Sequence, residues 1–198
     1  KPFEGAIVFD TLTGRHPWVF TVDVTAMYPS CIMMLGASKE NILYQLSDTY
    51  EDYIKVVSRS NEEVTLTVEE TGEIISVVAA DMCDLIRENG WTVSGHGTIF
   101  DGTMGLIAAY LNEAKKDRDK YKGEMKNSVY ESEEYKMFDL FQKVMKTKSN
   151  SMYGVLSQPA FRLADNRLAA STTTTGQLMG KQQAYMANKK LQEMVDEA

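Results

Sequence analysis

Zinc-finger chemistry, a disulfide framework and a membrane span all lack support in this sequence. Its 198 residues include only two cysteines, Cys31 and Cys83, far apart and without a second Cys or His at metal-ligand spacing. That argues against a structural zinc site and against a disulfide-stapled scaffold. Both thiols are expected to be ordinary half-buried residues of a reducing compartment. The two histidines, His16 and His96, are isolated and suggest no catalytic pair. No apolar run approaches the ~20 residues that a membrane span needs. The first residues, Lys1-Pro2-Phe3-Glu4-Gly5, hold neither an initiator Met nor the layout of a signal peptide, so the chain reads as an excised piece. The expected setting is the cytoplasm, that of the host cell if the source is a phage. Repeats are absent, and Ser171–Thr175 is too short to be a disordered tract.

What is present is a globular composition, 43% hydrophobic and 25% charged. A chain of this length forms one or two domains and buries roughly 70% of the surface it exposes when unfolded. An excess of basic residues is also missing: the net charge is −7, which at first argues against a partner rich in phosphate. The distribution of that charge points the other way. Eight acids between Asp48 and Glu73 stand against Lys55 and Arg59, leaving −1 for all the rest of the chain. Lys115 to Lys126 holds six bases against three acids, and Lys143, Lys146 and Lys148 follow with no acid among them. A binding site responds to this local field, not to the sum.

Residues 6–9 and 18–23 read as paired strands around Thr11-Leu12-Thr13-Gly14, with Asp23 ending the second. A short helix is expected after Pro29 to about Leu35, and a weakly amphipathic helix over 38–60. Residues 64–68 and 74–78 read as a second hairpin, and 81–90 as a helix stopped by Asn89-Gly90. Residues 91–105 hold four glycines and are turn-rich, with a short strand near Thr98-Ile99-Phe100. Two long helices follow, about 106–126 with a stripe of Ile107, Tyr110, Leu111 and Ala114, and about 132–152 with Phe138, Phe141 and Met145. A last helix is expected over 172–197. The pattern is α+β, strands early and helices late.

Three constellations carry chemistry. In Asp23-Val24-Thr25-Ala26-Met27-Tyr28-Pro29-Ser30, a carboxylate at a strand end and the next carbonyl offer hard oxygens to a divalent cation; the bland alternative is a turn-forming Asp. Lys115, Arg118, Lys122 and Lys126, at i, i+3, i+7 and i+11, share one helical face. That face is either a solvated charged surface, with Asp119 and Lys122 pairing locally, or a clamp on a phosphate tail, where Arg supplies a fork of donors and Lys a point charge. Lys146, Asn150 and Tyr153, at i, i+4 and i+7, share another face, followed by Gly154, which permits close backbone approach. They would suit a base and triphosphate lying across the helix, or would simply mark a helix end.

Together these segments resemble family B DNA polymerases. Asp23–Ser30 is similar to that family's D-x-x-S-L-Y-P-S segment, motif A, with Thr-Ala-Met where Thr-Ser-Leu is usual. Lys146–Gly154 matches the K-x-x-x-N-S-x-Y-G of motif B at every specified position. Arg118-Asp119-Lys120-Tyr121-Lys122 resembles the R-x-x-x-K of the fingers helix and falls between them in the expected order. Phe3-Glu4-Gly5-Ala6, Gly97 to Gly105 and Ala169 to Gln177 resemble the family's flanking segments. The third motif, Y-G-D-T-D, is absent, as are the exonuclease domain and thumb.

The resemblance implies a partial polymerase palm, an antiparallel sheet with packing helices, plus an antiparallel helical fingers hairpin. Residues 1–105 and 154–198 would be palm and 106–153 fingers. It implies template-directed transfer of a deoxynucleotide to a primer 3′ end with two Mg2+ ions, about 4 Å apart. Asp23 would bridge both ions and the Val24 carbonyl would hold one of them. Thr25, Ala26, Met27 and Tyr28 would offer amides to phosphates, and Tyr28 would reject ribose. Arg118, Lys122 and Lys146 would neutralise the triphosphate, with Lys146 also a general acid. Asn150, Tyr153 and Gly154 would line the base-pair pocket. Implied partners are primer-template DNA, deoxynucleoside triphosphates and the missing polymerase segments, in the same or another chain, with no membrane. With one motif carboxylate, the chain alone is expected to be inactive. Two alternatives stand beside this one. A chain of a split polymerase would be betrayed by a neighbouring reading frame beginning with Y-x-D-x-D. A decayed, non-catalytic nucleotide- or nucleic-acid-binding module is the other, although decay would have eroded Asp23, Lys146 or Tyr153 first. The compact downstream segment leans towards a phage source.

Overall fold

The hairpin signal at Val64–Val78 gives the structure its frame. In the computed structural model, which describes residues 13–15, 21 and 23–196, β2 (Glu63–Val68) and β3 (Ile74–Val78) pair antiparallel about Glu69–Glu73, with Leu66 opposite Ile75. The period of two along β2 puts Val64 and Leu66 inside. Three more strands complete the sheet: β1 (Ile42–Leu46), β4 (Thr92–Val93) and β5 (Thr98–Phe100). Their order is β3-β2-β1-β5-β4, with every pairing antiparallel. β1 is central and lies where a helix over 38–60 was expected. The five residues Ile-Leu-Tyr-Gln-Leu do not alternate, so local pattern cannot separate strand from helix. Pairing with β2 on one edge and β5 on the other decides it. The remainder of that stretch is a 3-10 turn at Lys39–Asn41 and a short helix, α2 (Glu51–Val57).

The paired strands expected over 6–9 and 18–23 lie, apart from Thr21 and Asp23, outside the described residues, and those two are not in a strand. α1 (Met27–Leu35) begins before Pro29, not after it. Proline is tolerated there because first-turn amides have no intrahelical partner to lose. α3 (Ala79–Glu88) stops at Asn89-Gly90 as its sequence indicated, Gly90 having φ +67°. α4 (Leu106–Asn127) and α5 (Glu133–Val155) form the long antiparallel pair, with the Ser132 hydroxyl accepting from the Tyr135 amide at the start of α5. α6 (Asn166–Asp196) begins six residues before the expected 172. Its start is capped by Asp165, whose Oδ1 accepts from the Arg167 amide at 2.9 Å.

Two apolar clusters hold these layers. Leu46, Val64, Leu66 and Ile99 on one sheet face meet Val56 of α2 and Met82 and Ile86 of α3. Ile42 and Phe100 meet Ile32 and Leu35 of α1, Ile107 and Leu111 of α4, Leu156 just past α5, and Leu168 of α6. Burying each such side chain contributes about 1.5–3 kcal/mol. Cys31 and Cys83 are buried members of this interior, not half-buried as expected. Burial pushes the Cys31 thiol up to about 11, its own backbone hydrogen bond opposing. Only the first half of α4 is buried (Ile107, Ala108, Leu111, Ala114), and α5 has no fully buried residue. The pair is joined along an aromatic seam, half-buried Tyr121 against the more exposed Phe141 at 5.2 Å between ring centroids.

Polar ties set α6 against the sheet. The Ser94 hydroxyl donates to that of Ser171 at 2.8 Å, and the Gly95 amide donates to the Thr175 hydroxyl. A Cβ on Gly95 would stand 2.7 Å from Leu178 Cδ1, so only glycine permits this approach without a shift. Thr172, Thr173 and Thr174 instead donate to carbonyls of their own helix, at Leu168, Ala169 and Ala170. The Arg167 guanidinium bonds both Glu69 at the β2–β3 turn and Asp165, tying the hairpin to the start of α6.

Candidate active site

The segment Asp23–Tyr28 reaches the site through a tight turn. Ala26 adopts the left-handed conformation (φ 50°), and the Ser30 amide donates to the Ala26 carbonyl to open α1. Non-glycine residues seldom adopt that conformation, and when they do it deserves a functional question. Asp23 is exposed, and among the described residues it has no hydrogen-bond or ion-pair partner.

A cleft of about 750 Å3 lies between this turn and the long helix pair. The turn lines it from Asp23 to Pro29. α4 contributes Arg118, and α5 contributes Lys146, Asn150 and Tyr153. The helical spacing read from the sequence therefore does what it indicated: the three α5 side chains face one space. Tyr28 and Tyr153 meet at its floor, ring centroids 4.4 Å apart and planes tilted by 34°. Burial first, then the neighbouring Tyr28, push the Tyr153 phenol up, while a hydrogen bond with Thr173 of α6 acts the other way. α6 passes close by, and a Cβ on Gly176 would touch Met27 Cε at 3.4 Å and Tyr28 Cε1 at 3.5 Å.

A second, smaller chamber of about 130 Å3 opens between α1, α4 and α5. Thr25, Ala26, Pro29, Arg118, Lys146 and Asn150 line both spaces, so chamber and cleft share a rim. Lys122 lines only the chamber and Gly154 neither; Gly154 is exposed, with nothing within 4 Å of where a Cβ would stand. Lys126, the end of the basic stripe, also lines neither. The local pairing of Asp119 with Lys122 is not formed. None of Lys115, Arg118, Lys122 and Lys146 is in an ion pair among the described residues. Arg118 Nε is buried with no hydrogen-bond partner. A buried donor left unsatisfied costs about 1–3 kcal/mol, and four cations around one space repel each other, so the arrangement favours an anion. A third groove, about 590 Å3, has no charged residue in its lining and offers no such match.

Sequence reasoning did not assign Ser30, Met33, Leu111, Asp119 or Ser149 to the site, although all line the chamber. Ser149, three residues after Lys146, carried a periodicity signal; Ser30 and Met33 depend on how α1 meets α4 and carried none.

For a metal, Asp23 and the Val24 carbonyl are hard-oxygen donors suited to Mg2+. They are too few for a two-ion centre, and no group of three or more metal-ligating side chains occurs among the described residues.

Comparisons with known proteins bear on the family and the fold. Residues 1–198 match the family model for DNA polymerase family B. The chain is 25% identical over 177 residues to DNA polymerase 1 of Saccharolobus solfataricus, and 28% identical over 176 residues to DNA polymerase 1 of Sulfolobus acidocaldarius. Each alignment covers 89% of this chain and 16% of the relative, so the chain spans about a sixth of their length. The solved family B DNA polymerase from the hyperthermophilic archaeon Pyrobaculum calidifontis shares the fold with a TM-score of 0.63 and 22% identity, over 96% of this chain and 20% of that one. With the family model matching from the first residue to the last, this chain belongs to DNA polymerase family B.

Proposed function

We propose that this chain is the nucleotide-binding part of a DNA-directed DNA polymerase, adding deoxynucleotides to a primer 3′ end opposite a template. The observation that supports it most is the convergence of Asp23, Tyr28, Arg118, Lys146, Asn150 and Tyr153 on one cleft. In this reading residues 1–105 and 154–198 are palm and α4–α5 (106–153) are fingers. Primer-template DNA and deoxynucleoside triphosphates are the partners, the cytoplasm the setting; among the described residues no helix is long and apolar enough to cross a membrane.

The 3′ oxygen forms a bond to the α-phosphorus as its proton passes to solvent water. The bond from that phosphorus to the bridging oxygen breaks, and pyrophosphate departs with the electron pair. Arg118, Lys122 and Lys146 hold the triphosphate and neutralise the charge that builds on the leaving group. Lys146, on the shared rim, also donates the proton that the leaving oxygen takes up. Amides of Thr25 to Tyr28 hydrogen-bond phosphate oxygens. Tyr28 packs under the sugar where a 2′-hydroxyl would collide, and Tyr153 and Asn150 bound the nascent base pair, with Gly154 just beyond. Asp23 and Val24 would contribute ligands to Mg2+, which lowers the cost of charge on the attacking and leaving oxygens. The other ligands have to come from elsewhere in the same polypeptide or from a second chain, so this segment alone is not expected to extend a primer.

The test is Lys146→Gln in the full-length polypeptide. Losing one preorganised cation from a developing charge lowers kcat for primer extension by about 10²-fold or more, with the chain's thermal stability kept. Undiminished extension would remove the proposal.

A further inference from the structure

Gly176 lies buried in the interior of α6, at a position where nothing in the backbone asks for glycine. Its φ is not among the positive ones, and glycine is one of the poorest helix formers. Close packing does not ask for it either. A Cβ at Gly95 or Gly105 would stand 2.7 or 2.4 Å from its nearest neighbour, where no side chain fits without a shift. At Gly176 the nearest atoms would be Met27 Cε at 3.4 Å and Tyr28 Cε1 at 3.5 Å, which are ordinary contact distances. The glycine therefore leaves a gap the size of one methyl group, and the atoms that border it lack a packing partner on that side.

Across this gap stands the tyrosine that the polymerase reading sets against ribose. Tyr28 lines the cleft and Gly176 does not, so α6 meets the ring from behind. The other support of the ring is Tyr153, 4.4 Å away between centroids. Thr173, the hydrogen-bond partner of Tyr153, sits one turn before Gly176 on the same face of α6. Ser171 and Thr175 fasten the helix to Ser94 and Gly95, which fixes the wall behind both rings. That wall reaches Tyr153 through a side chain and stops a methyl group short of Tyr28. Refusing a 2′-hydroxyl requires a ring that does not give way, and a ring with empty space behind it yields more easily than one that is packed. We infer that Gly176 is a specificity-determining residue: the gap it leaves lets Tyr28 yield to a 2′-hydroxyl, and so sets how strictly ribonucleotides are refused. Gly176 acts through Tyr28 and touches no nucleotide, which makes it a positioning residue. This rests on the polymerase reading and deepens it.

The experiment compares Gly176→Ala with the parent in the full-length polypeptide. It measures Tm, and kcat/KM for a ribonucleoside and a deoxyribonucleoside triphosphate of the same base. Filling the gap lowers kcat/KM for the ribonucleotide about fivefold relative to the deoxynucleotide, somewhat less than one methylene in direct contact with a substrate is worth. The deoxynucleotide value stays where it was. Tm does not fall, because alanine suits a helix interior better than glycine and the methyl has room. A lower Tm would show that the space is not there and would overturn the inference. An unmoved sugar ratio, or an equal loss for both sugars, overturns it too. Tyr28→Ala, alone and combined with Gly176→Ala, shows whether the effect passes through the ring: with the ring gone, the change at Gly176 no longer moves the sugar ratio. An effect that persists without the ring refutes the route. If Tyr28→Ala leaves sugar preference unchanged, the gate falls and this inference with it. Undiminished extension by Lys146→Gln ends the polymerase reading itself, whereas a preference relaxed by Tyr28→Ala but indifferent to Gly176→Ala ends only the role of Gly176.

Discussion

Replacing Arg118 by methionine should move stability and nucleotide affinity in opposite directions. The guanidinium presents a buried Nε with no partner and sits among Lys115, Lys122 and Lys146. In the absence of nucleotide both facts count against the folded state. An unsatisfied buried donor costs about 1–3 kcal/mol, and methionine keeps much of the stem's packing while removing the charge. Taking the lower end of that range, the nucleotide-free protein gains about 1 kcal/mol, which for a chain of this size raises Tm by about 2–4 °C. With nucleotide present the same change removes charge-assisted bonds worth about 1.5–3 kcal/mol, so Kd rises by about 10- to 150-fold. The assay is thermal unfolding of the parent and Arg118→Met with and without deoxynucleoside triphosphate, together with direct titration at two salt concentrations. The affinity difference should narrow as salt is added, because partly exposed charges are screened over about 8 Å at physiological ionic strength. A variant that is less stable without nucleotide, or that binds nucleotide as tightly as the parent, would show that Arg118 is held for structural reasons and would refute the anion-site reasoning.

Tyr28→Ala removes the ring that lies 4.4 Å from Tyr153. It should raise kcat/KM for ribonucleotides relative to deoxynucleotides and cost about 0.5–1.5 kcal/mol of stability from the lost aromatic pair; an unchanged sugar preference would exclude the gate. Acid should loosen the hairpin from α6. Hydrogen bonding to Arg167 holds Glu69 below its ordinary 4.5 despite partial burial, and at Asp165 burial pushes up but the bonds to Arg167 outweigh it, leaving it below 3.8. Both folded values are depressed, so this stability is complete above the ordinary carboxylate range and is lost as pH falls beneath it. Denaturant melts between pH 6 and about pH 3 should show a smaller acid loss in Glu69→Gln than in the parent, and equal losses would sink the assignment. His96, pushed down by burial and then by the Arg167 charge, adds an earlier loss as pH falls through its ordinary 6.5.

The elements that could be read from sequence are those whose periodicity is local and unambiguous. Val64 and Leu66 alternate with polar residues, and Ile107, Leu111 and Ala114 recur at helical spacing, so the hairpin and α4 emerge close to their actual bounds. β1 does not, because Ile42–Leu46 becomes a strand through partners 20 or more residues away on both edges. α6 starts at Asn166 behind the cap at Asp165, six residues before the expected 172. At the site, helical spacing was enough to put Lys146, Asn150 and Tyr153 on one face. Whether that face meets Asp23 and Arg118, and whether Lys122 reaches the same space as Lys146, depends on how α4 and α5 cross α1, which no single segment encodes.

The run from Ser171 to Thr175 contains two kinds of polar residue that look alike in sequence. Thr172 and Thr174 turn their hydroxyl protons inward to the backbone one turn earlier, and so present the surrounding core with little more than methyl groups. To their neighbours they resemble valine, and they can be exchanged for it without stranding a donor elsewhere. Ser171 and Thr175 point across to the β4–β5 bend and carry the polar part of α6's seat on the sheet. Tolerance to apolar replacement should therefore differ between adjacent buried positions of one helix, according to whether each hydroxyl is occupied at home or abroad.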